Sequence, residues 1–60
     1  MIEKLRNALS NREISLYALS KRIGIEYELV RRMFCGKRKM TAEELILILD
    51  KTGIDFEEVK

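Results

Sequence analysis

The side chains that could do chemistry in this 60-residue sequence are mainly positively charged. Residues 1 to 39 contain ten Lys or Arg against four acids, and residues 40 to 60 contain two against six. One part of the chain is therefore basic, although the net charge is only +2. Such an asymmetry accompanies the binding of a polyanion, and it also occurs in solvated, salt-bridged surfaces.

Catalytic and metal-binding chemistry finds little support in the same residues. The sequence has no His, no Gly-rich phosphate loop and no carboxylate pair flanked by pocket-forming residues. Cys35 is the only cysteine; Arg31 and Arg32 nearby would favour its thiolate, but a lone Cys at a helix end is more often a space filler. We therefore expect no enzymatic activity, no cofactor, no metal and a reducing, cytoplasmic setting. No apolar run approaches the ~18 residues that span a bilayer, so no membrane partner is expected.

The elements that position the basic residues can be predicted from the spacing of apolar ones. Leu19 and Ile23 lie four apart and share one face of a helix that follows Ser15, a good N-cap. Val30 and Met33 lie three apart on a further helix over about residues 27 to 35. Gly24 can adopt the left-handed conformation that ends the earlier helix sharply. The pattern predicts a helix-turn-helix.

Helical patterns also cover the rest of the chain. Apolar residues recur at helical spacing over residues 2 to about 10, which predicts a first helix. A fourth helix ending near Thr52 and a short fifth helix each begin with a capping box, in which the N-cap side chain and a Glu three residues later bond to each other's backbone amides. The two boxes are Thr41 with Glu44, and Asp55 with Glu58.

The third helix should bury one side and expose the other. Its predicted apolar face consists of Leu29, Val30, Met33 and Phe34. The remaining residues should face solvent or a partner: Tyr27, Glu28, Arg31, Arg32 and Cys35. In the simplest interpretation, Glu28 pairs with Arg32 across one helical turn, with Arg31 also within reach, and the pairing contributes only ~0.2 to 0.5 kcal/mol.

Without gaps, residues 15 to 36 resemble the helix-turn-helix of the Cro and lambda-repressor class of DNA-binding domains. The matching positions are Ser15, Leu19, Ile23, Gly24, Ile25, Val30, Arg32, Met33 and Gly36. The segments LRNAL and TAEELILILDKTGIDFEEV are similar to the family's first and last helices. The resemblance implies one domain over residues 1 to 60, an all-α compact bundle of five short helices with the helix-turn-helix at helices 2 and 3.

The same resemblance implies a phage or bacterial transcriptional regulator, a Cro-like repressor, that binds double-stranded DNA. Its third helix would enter the major groove and read bases through Tyr27, Glu28, Arg31 and Arg32. Contacts to phosphate would come from Ser15, Lys21, Arg22, Lys37, Arg38 and Lys39.

Several positions depart from the family pattern. Leu16 stands where the family commonly has Gln, and Glu26 stands where it commonly has a residue with a small hydroxyl side chain. Both of these family residues approach phosphate, which Leu16 and Glu26 are less suited to bind. Apolar residues replace polar ones at Leu29, Phe34 and Leu47. An alternative is a protein-binding module on the same scaffold, such as an antirepressor or an inhibitor of a host protein. It is motivated by Glu26 and Glu28, which repel phosphate, and by the aromatic and apolar content of Tyr27, Leu29 and Phe34. A core repacked around larger side chains explains the apolar residues equally well.

A homodimer is the expected assembly, because members of this family gain affinity by placing two copies on adjacent half-sites. We expect the contact near the C-terminus, through Leu47, Phe56 and Val59. Leu47 is predicted to face away from the apolar stripe of the fourth helix. The alternative is that Phe56 and Val59 close the core of a monomer.

Overall fold

The computed structural model describes residues 1 to 60 and contains no strand, which confirms the all-α prediction. Its four α-helices and one 3₁₀ turn are α1 (Ile2–Asn11), α2 (Leu16–Ile23), α3 (Tyr27–Phe34), α4 (Ala42–Thr52) and the turn at Phe56–Glu58. The fifth helix of the prediction is therefore only a single 3₁₀ turn. No helix is both long enough and apolar enough to cross a bilayer.

Local sequence signals account for where the helices begin. Ser15 Oγ accepts the Ala18 amide at 3.0 Å and caps α2. At α4, Thr41 Oγ1 accepts the Glu44 amide at 3.1 Å, while the Glu44 carboxylate accepts the Thr41 amide at 2.9 Å. This reciprocal pair satisfies two amides that the first helical turn would otherwise leave unpaired. Asp55 and Glu58 form the corresponding box at the C-terminal turn.

Between α2 and α3 the chain turns at Gly24, whose φ of 72° lies in the left-handed region. A residue with a side chain would be strained there, and glycine is not. The turn lets α2 pack against α3, and α2 also packs against α4. Helix α2 therefore fixes the orientation of α3 relative to the rest of the domain.

The core draws on all four helices, on Ile14 and on the C-terminal segment. Its twelve buried hydrophobic residues are Leu5, Ala8, Leu9, Ile14, Leu19, Ile23, Val30, Met33, Phe34, Ile48, Ile54 and Val59. Phe34 is only 4% exposed, so this departure from the family pattern is a repacked core. Leu29, expected on the same apolar face, remains 37% exposed because it lies at the edge of that face.

Long-range hydrogen bonds join the N-terminal helix to distant parts of the chain. The Arg12 guanidinium makes two bonds to the Glu58 carboxylate, at 3.2 and 2.9 Å. Arg6 Nη2 donates to the Phe34 carbonyl at 2.7 Å, which satisfies an acceptor at the C-terminal end of α3. Helix α1 therefore holds both the C-terminal turn and the end of α3.

The three residues predicted for a dimer surface differ in exposure. Val59 is fully buried, so it closes the monomer core and is not available to a second copy. Leu47 is half-buried and packs against the core instead of facing away from it. Phe56 is 48% exposed, but the most exposed large apolar side chain is Ile46, at 65%. Ile46 is exposed because the buried side of α4 is centred on Ile48.

Candidate nucleic-acid interface

The outer side of α3 carries the four residues that were predicted to read bases. Val30, Met33 and Phe34 are buried, which turns the opposite side of the helix outward. Arg32 on that side is exposed, and Glu28 and Arg31 are partly exposed. Tyr27 is also exposed, but it is seven residues before the buried Phe34 and lies at the edge of this face, against Tyr17 of α2. All four predicted side chains are therefore accessible.

At the centre of this face, Glu28 pairs mainly with Arg31. Arg31 Nη2 donates to Glu28 Oε1 at 2.5 Å, and Arg31 Nε lies 3.4 Å from Oε2. Arg32 Nε is 3.8 Å from Glu28 Oε1, which is an ion pair without a hydrogen bond. Both ion pairs expected from the sequence are therefore present, and Arg31 is the closer partner. The i,i+3 spacing aligns the Nε and Nη2 edge of Arg31 with the carboxylate.

This pairing sets the charges on the face. The hydrogen bond and the charge of Arg31 lower the pKa of the Glu28 carboxyl below its ordinary value. The same hydrogen bond raises the pKa of Arg31. Both groups therefore stay ionised near neutral pH. One edge of the Arg31 guanidinium is occupied, whereas Arg32 keeps its donors available to a ligand.

The basic loop after α3 divides into one anchored residue and two exposed ones. Gly36, with a φ of 77°, turns the chain so that the Lys37 and Arg38 amides both donate to the Arg32 carbonyl, at 2.9 and 3.2 Å. Arg38 Nη1 donates to both Glu44 oxygens, at 3.1 and 2.9 Å. Arg38 is thus tied to α4. Lys37 and Lys39 are exposed and form no ion pair.

Glu44 links this loop to the start of α4. Its carboxylate accepts the Thr41 amide as well as the Arg38 guanidinium. The Thr41 amide, followed by Arg38, lowers the pKa of the Glu44 carboxyl. This capping box therefore also positions the two lysines of the loop. Arg38, predicted as a phosphate contact, has a structural partner that the sequence interpretation did not assign.

Helix α2 contributes a second basic region. Lys21 and Arg22 are both exposed, and neither forms an ion pair with an acid. Ser15 is also exposed, but its hydroxyl oxygen already accepts the Ala18 amide. Leu16, where the family commonly has Gln, is partly buried and packs against the core. This departure is therefore used for packing.

Glu26 precedes α3 as its N-cap, but its side chain makes no capping hydrogen bond. Its carbonyl accepts the Val30 amide at 3.1 Å, so the helix starts there through its backbone alone. The exposed carboxylate leaves a negative charge at the leading end of α3. A phosphate close to this end would be repelled.

The sequence interpretation missed a contact between α2 and α3. The rings of Tyr17 and Tyr27 meet edge to face, with centroids 5.8 Å apart and planes at 68°. Lys21 Nζ lies 5.1 Å from the centroid of the Tyr17 ring. The sequence signal was one tyrosine near the start of each helix, with Lys21 one turn after the first. Whether the two tyrosines touch depends on how α2 and α3 cross.

No cluster of three or more His, Cys, Asp or Glu side chains has the geometry to hold a metal ion. Cys35, at the C-cap of α3, is an exposed free thiol. The exposed basic groups described above belong to α2, α3 and the loop after α3. Their pattern is an exposed helix that bears charged side chains and is flanked by unpaired lysines.

Comparison with known proteins agrees with this geometry. The family model of the Cro/C1-type HTH DNA-binding domain matches residues 4–59. No curated protein and no solved structure gives a match. The family match covers α1 almost completely, the helix-turn-helix, α4 and the C-terminal turn. The chain belongs to the Cro/C1-type helix-turn-helix DNA-binding domain family.

Proposed function

We propose that this DNA-binding domain is a sequence-specific transcriptional regulator, a Cro-like repressor that reads an operator with α3. The observation that carries the proposal is the outer face of α3, where Arg32 keeps its donors available beside the unpaired lysines of the following loop. A helix of this kind can enter the major groove while the adjacent charges bind the backbone.

Affinity would come mainly from four basic side chains that no acid neutralises. They lie on α2 and on the loop after α3: Lys21, Arg22, Lys37 and Lys39. Each phosphate neutralised releases counterions, so binding should weaken with salt at a slope of about −0.9 per contact. Three or four such contacts correspond to a slope of about −3 to −4. These contacts position the domain without selecting a sequence.

Specificity would come from the outer face of α3. Arg32 can donate two hydrogen bonds to O6 and N7 of a guanine. Glu28 can accept from N4 of a cytosine, while Arg31 holds its carboxylate in place at 2.5 Å. A well-formed contact of this type discriminates against the wrong base by ~1 to 3 kcal/mol. The arrangement favours an operator that includes G·C pairs.

Repression would follow from occupancy of a promoter, and two copies on half-sites ~34 Å apart would combine their binding free energies. Phe56 is the residue of the predicted dimer surface that is most exposed, at 48%. Ile46 is less suited to a two-fold contact. An antiparallel pair of α4 helices centred between Ile46 and Leu47 would place Glu43 of one copy opposite Asp50 of the other, and these like charges repel.

The test is a mobility-shift titration of duplexes selected from a random pool, at low and moderate salt. We expect binding at low salt and a selected consensus. Arg32→Ala should weaken binding to the selected duplex by ~1 to 3 kcal/mol and relax the preference at one base pair, whereas Lys39→Ala should weaken binding to all duplexes alike. Absence of binding to every duplex at low salt would refute the proposal.

The alternative function, a protein-binding module, is favoured by one observation. Tyr17, Tyr27 and Leu29 are exposed at 57%, 41% and 37%, beside the acidic Glu26 and Glu28. Exposed aromatic side chains are enriched in protein interfaces. A pull-down from cell extract with wild type and Tyr27→Ala distinguishes the two functions. A stoichiometric protein lost in the variant supports the alternative, and recovery of nucleic acid alone contradicts it.

A further inference from the structure

The edge-to-face pair of Tyr17 and Tyr27 is the most exposed aromatic surface of the domain. Tyr17 is 57% exposed and Tyr27 is 41% exposed. Because Tyr17 belongs to α2 and Tyr27 to the first turn of α3, their contact restrains the orientation of both rings. A pair held this way presents a fixed apolar edge at the start of α3.

The rings lie beside a shallow notch of about 330 Å³ between α2 and α3. Ile25 lines its apolar part, and Glu26 also lines it. The Glu26 carboxylate is exposed and makes no ion pair, so it disfavours a phosphate in the notch. Lys21 lines the notch as well, and its positive charge offsets that of Glu26. The two tyrosine rings and Ile25 therefore leave the notch suited to an uncharged, apolar group.

Lys21 supplies a positive charge on the α2 side of the pair. Its Nζ lies 5.1 Å from the Tyr17 ring centroid, and no acid pairs with it. Lys21 also lines the notch, so its charge is placed for a phosphate that lies beside the two rings. In a helix-turn-helix complex the earlier helix crosses the DNA backbone, while the first residues of the following helix meet base edges. Lys21 and Tyr27 lie on those two helices in that order.

The 5-methyl group of thymine is the apolar group that the major groove presents. On the basis of the proposed function, we propose that Tyr17, Lys21 and Tyr27 form a thymine-recognition unit. Tyr27 packs against the methyl group of one thymine at the edge of the reading helix. Tyr17 is a positioning residue that holds the Tyr27 ring, and Lys21 binds a phosphate near that base. Part of the specificity is thus apolar. This agrees with the hydrogen bonds from Arg31 to Glu28, which occupy one edge of the Arg31 guanidinium and leave fewer of its donors for bases.

The test replaces each thymine of a selected duplex, one at a time, by deoxyuridine, which lacks only the methyl group. Affinities are measured by fluorescence anisotropy at low salt. At one position within the half-site, the change should weaken wild-type binding by about three- to tenfold, the effect of losing one buried methyl contact. Deoxyuridine elsewhere in the duplex serves as the matched control and should have no effect.

Protein variants then assign the effect to the tyrosines. In Tyr27→Ala the deoxyuridine penalty should disappear. Tyr17→Phe keeps the ring and should keep the penalty, whereas Tyr17→Ser should reduce it, because the Tyr27 ring loses its support. A purely structural role for Tyr17 would lower affinity for both duplexes equally and leave the penalty unchanged. Thermal melts establish that each variant is folded at the temperature of the titration.

Two negative outcomes are distinguishable. If wild type binds its selected duplex and tolerates deoxyuridine at every position, or if the selected site contains no thymine, the thymine-recognition unit is refuted and the proposed function stands. If wild type binds no duplex, both proposals are refuted. The deoxyuridine scan of wild type decides the inference even if a tyrosine variant fails to fold.

Discussion

Replacing Glu28 by Gln tests whether this carboxylate restrains Arg31 on the reading face of α3. Gln has nearly the same shape but no charge, so the hydrogen bonds from Arg31 Nη2, at 2.5 Å, and Nε, at 3.4 Å, both weaken. We expect E28Q to bind random-sequence DNA more tightly than wild type. It should also discriminate less between selected and random duplexes, because the acceptor for cytosine loses its charge.

The size of the effect follows from the contacts. If Arg31, once released, neutralises one further phosphate, the salt slope becomes steeper by about 0.9. When salt rises from about 50 to 200 mM, E28Q should therefore lose about three- to fourfold more affinity than wild type loses. The side chains of Arg31 and Glu28 are 43% and 45% exposed, so solvent screens their ion pair and it contributes little to folding. The melting temperature of E28Q should therefore stay close to that of wild type.

The assay is an anisotropy titration with one selected and one random duplex at several salt concentrations, together with a thermal melt. Glu43→Gln is the matched control, since Glu43 is an exposed carboxylate on α4 that forms no ion pair. It makes the same change in net charge away from α3. If E28Q does not steepen the slope for random DNA, or if E43Q steepens it equally, the argument that Glu28 restrains Arg31 is wrong.

Three further predictions concern stability and the basic loop. Glu13 has a φ of 56°, in the left-handed region, so Glu13→Gly should stabilise the domain by ~0.5 to 1 kcal/mol in a thermal melt. Glu13→Ala keeps the strained β-carbon and should not stabilise it. Equal melting temperatures of the two variants would contradict the reasoning. Arg38→Ala should lower the melting temperature because it removes the partner of Glu44. Lys37→Ala should instead leave the melting temperature unchanged and make the DNA salt slope shallower by about 0.9. The reverse pattern would show that the structural and the DNA-binding role were assigned to the wrong residues. Acid should destabilise the domain below about pH 4, because hydrogen bonds in the folded state lower the pKa values of Glu28, Glu44 and Glu58. Their contribution to the free energy of unfolding is present above the unfolded pKa and is lost as the pH falls through the folded pKa. Denaturant titrations from about pH 3 to 7 check this loss, and a constant free energy of unfolding would contradict it.

Much of the fold was determined by the sequence over short distances. The caps of α2 and α4 and the turn at Gly24 involve residues no more than four apart, so the residue types and their spacing were sufficient to predict them. The family pattern then placed the helix-turn-helix, and the match over residues 4–59 agrees with it. The outer side of α3 could be predicted as well, because three buried residues at helical spacing fix the opposite side.

Other features depended on how the helices cross, which spacing along the chain does not specify. Leu29 and Phe34 looked equivalent in the apolar pattern, yet packing buries Phe34 and leaves Leu29 at the edge. The same holds for α4, where Leu47 packs against the core and Ile46 does not. A helical face predicts which residues share a side, but the position of the neighbouring helices decides how far burial extends around it.

The tertiary structure alone decided which charged and aromatic groups are committed to one another. Arg12 reaches Glu58 across 46 residues, and Arg6 reaches the Phe34 carbonyl across 28. Basic residues therefore looked alike in the sequence, although some are bound within the domain and others are open to DNA. A charge is recognisable from residue type, whereas its availability depends on whether a distant partner lies within about 3 Å, which only the folded arrangement of the helices determines.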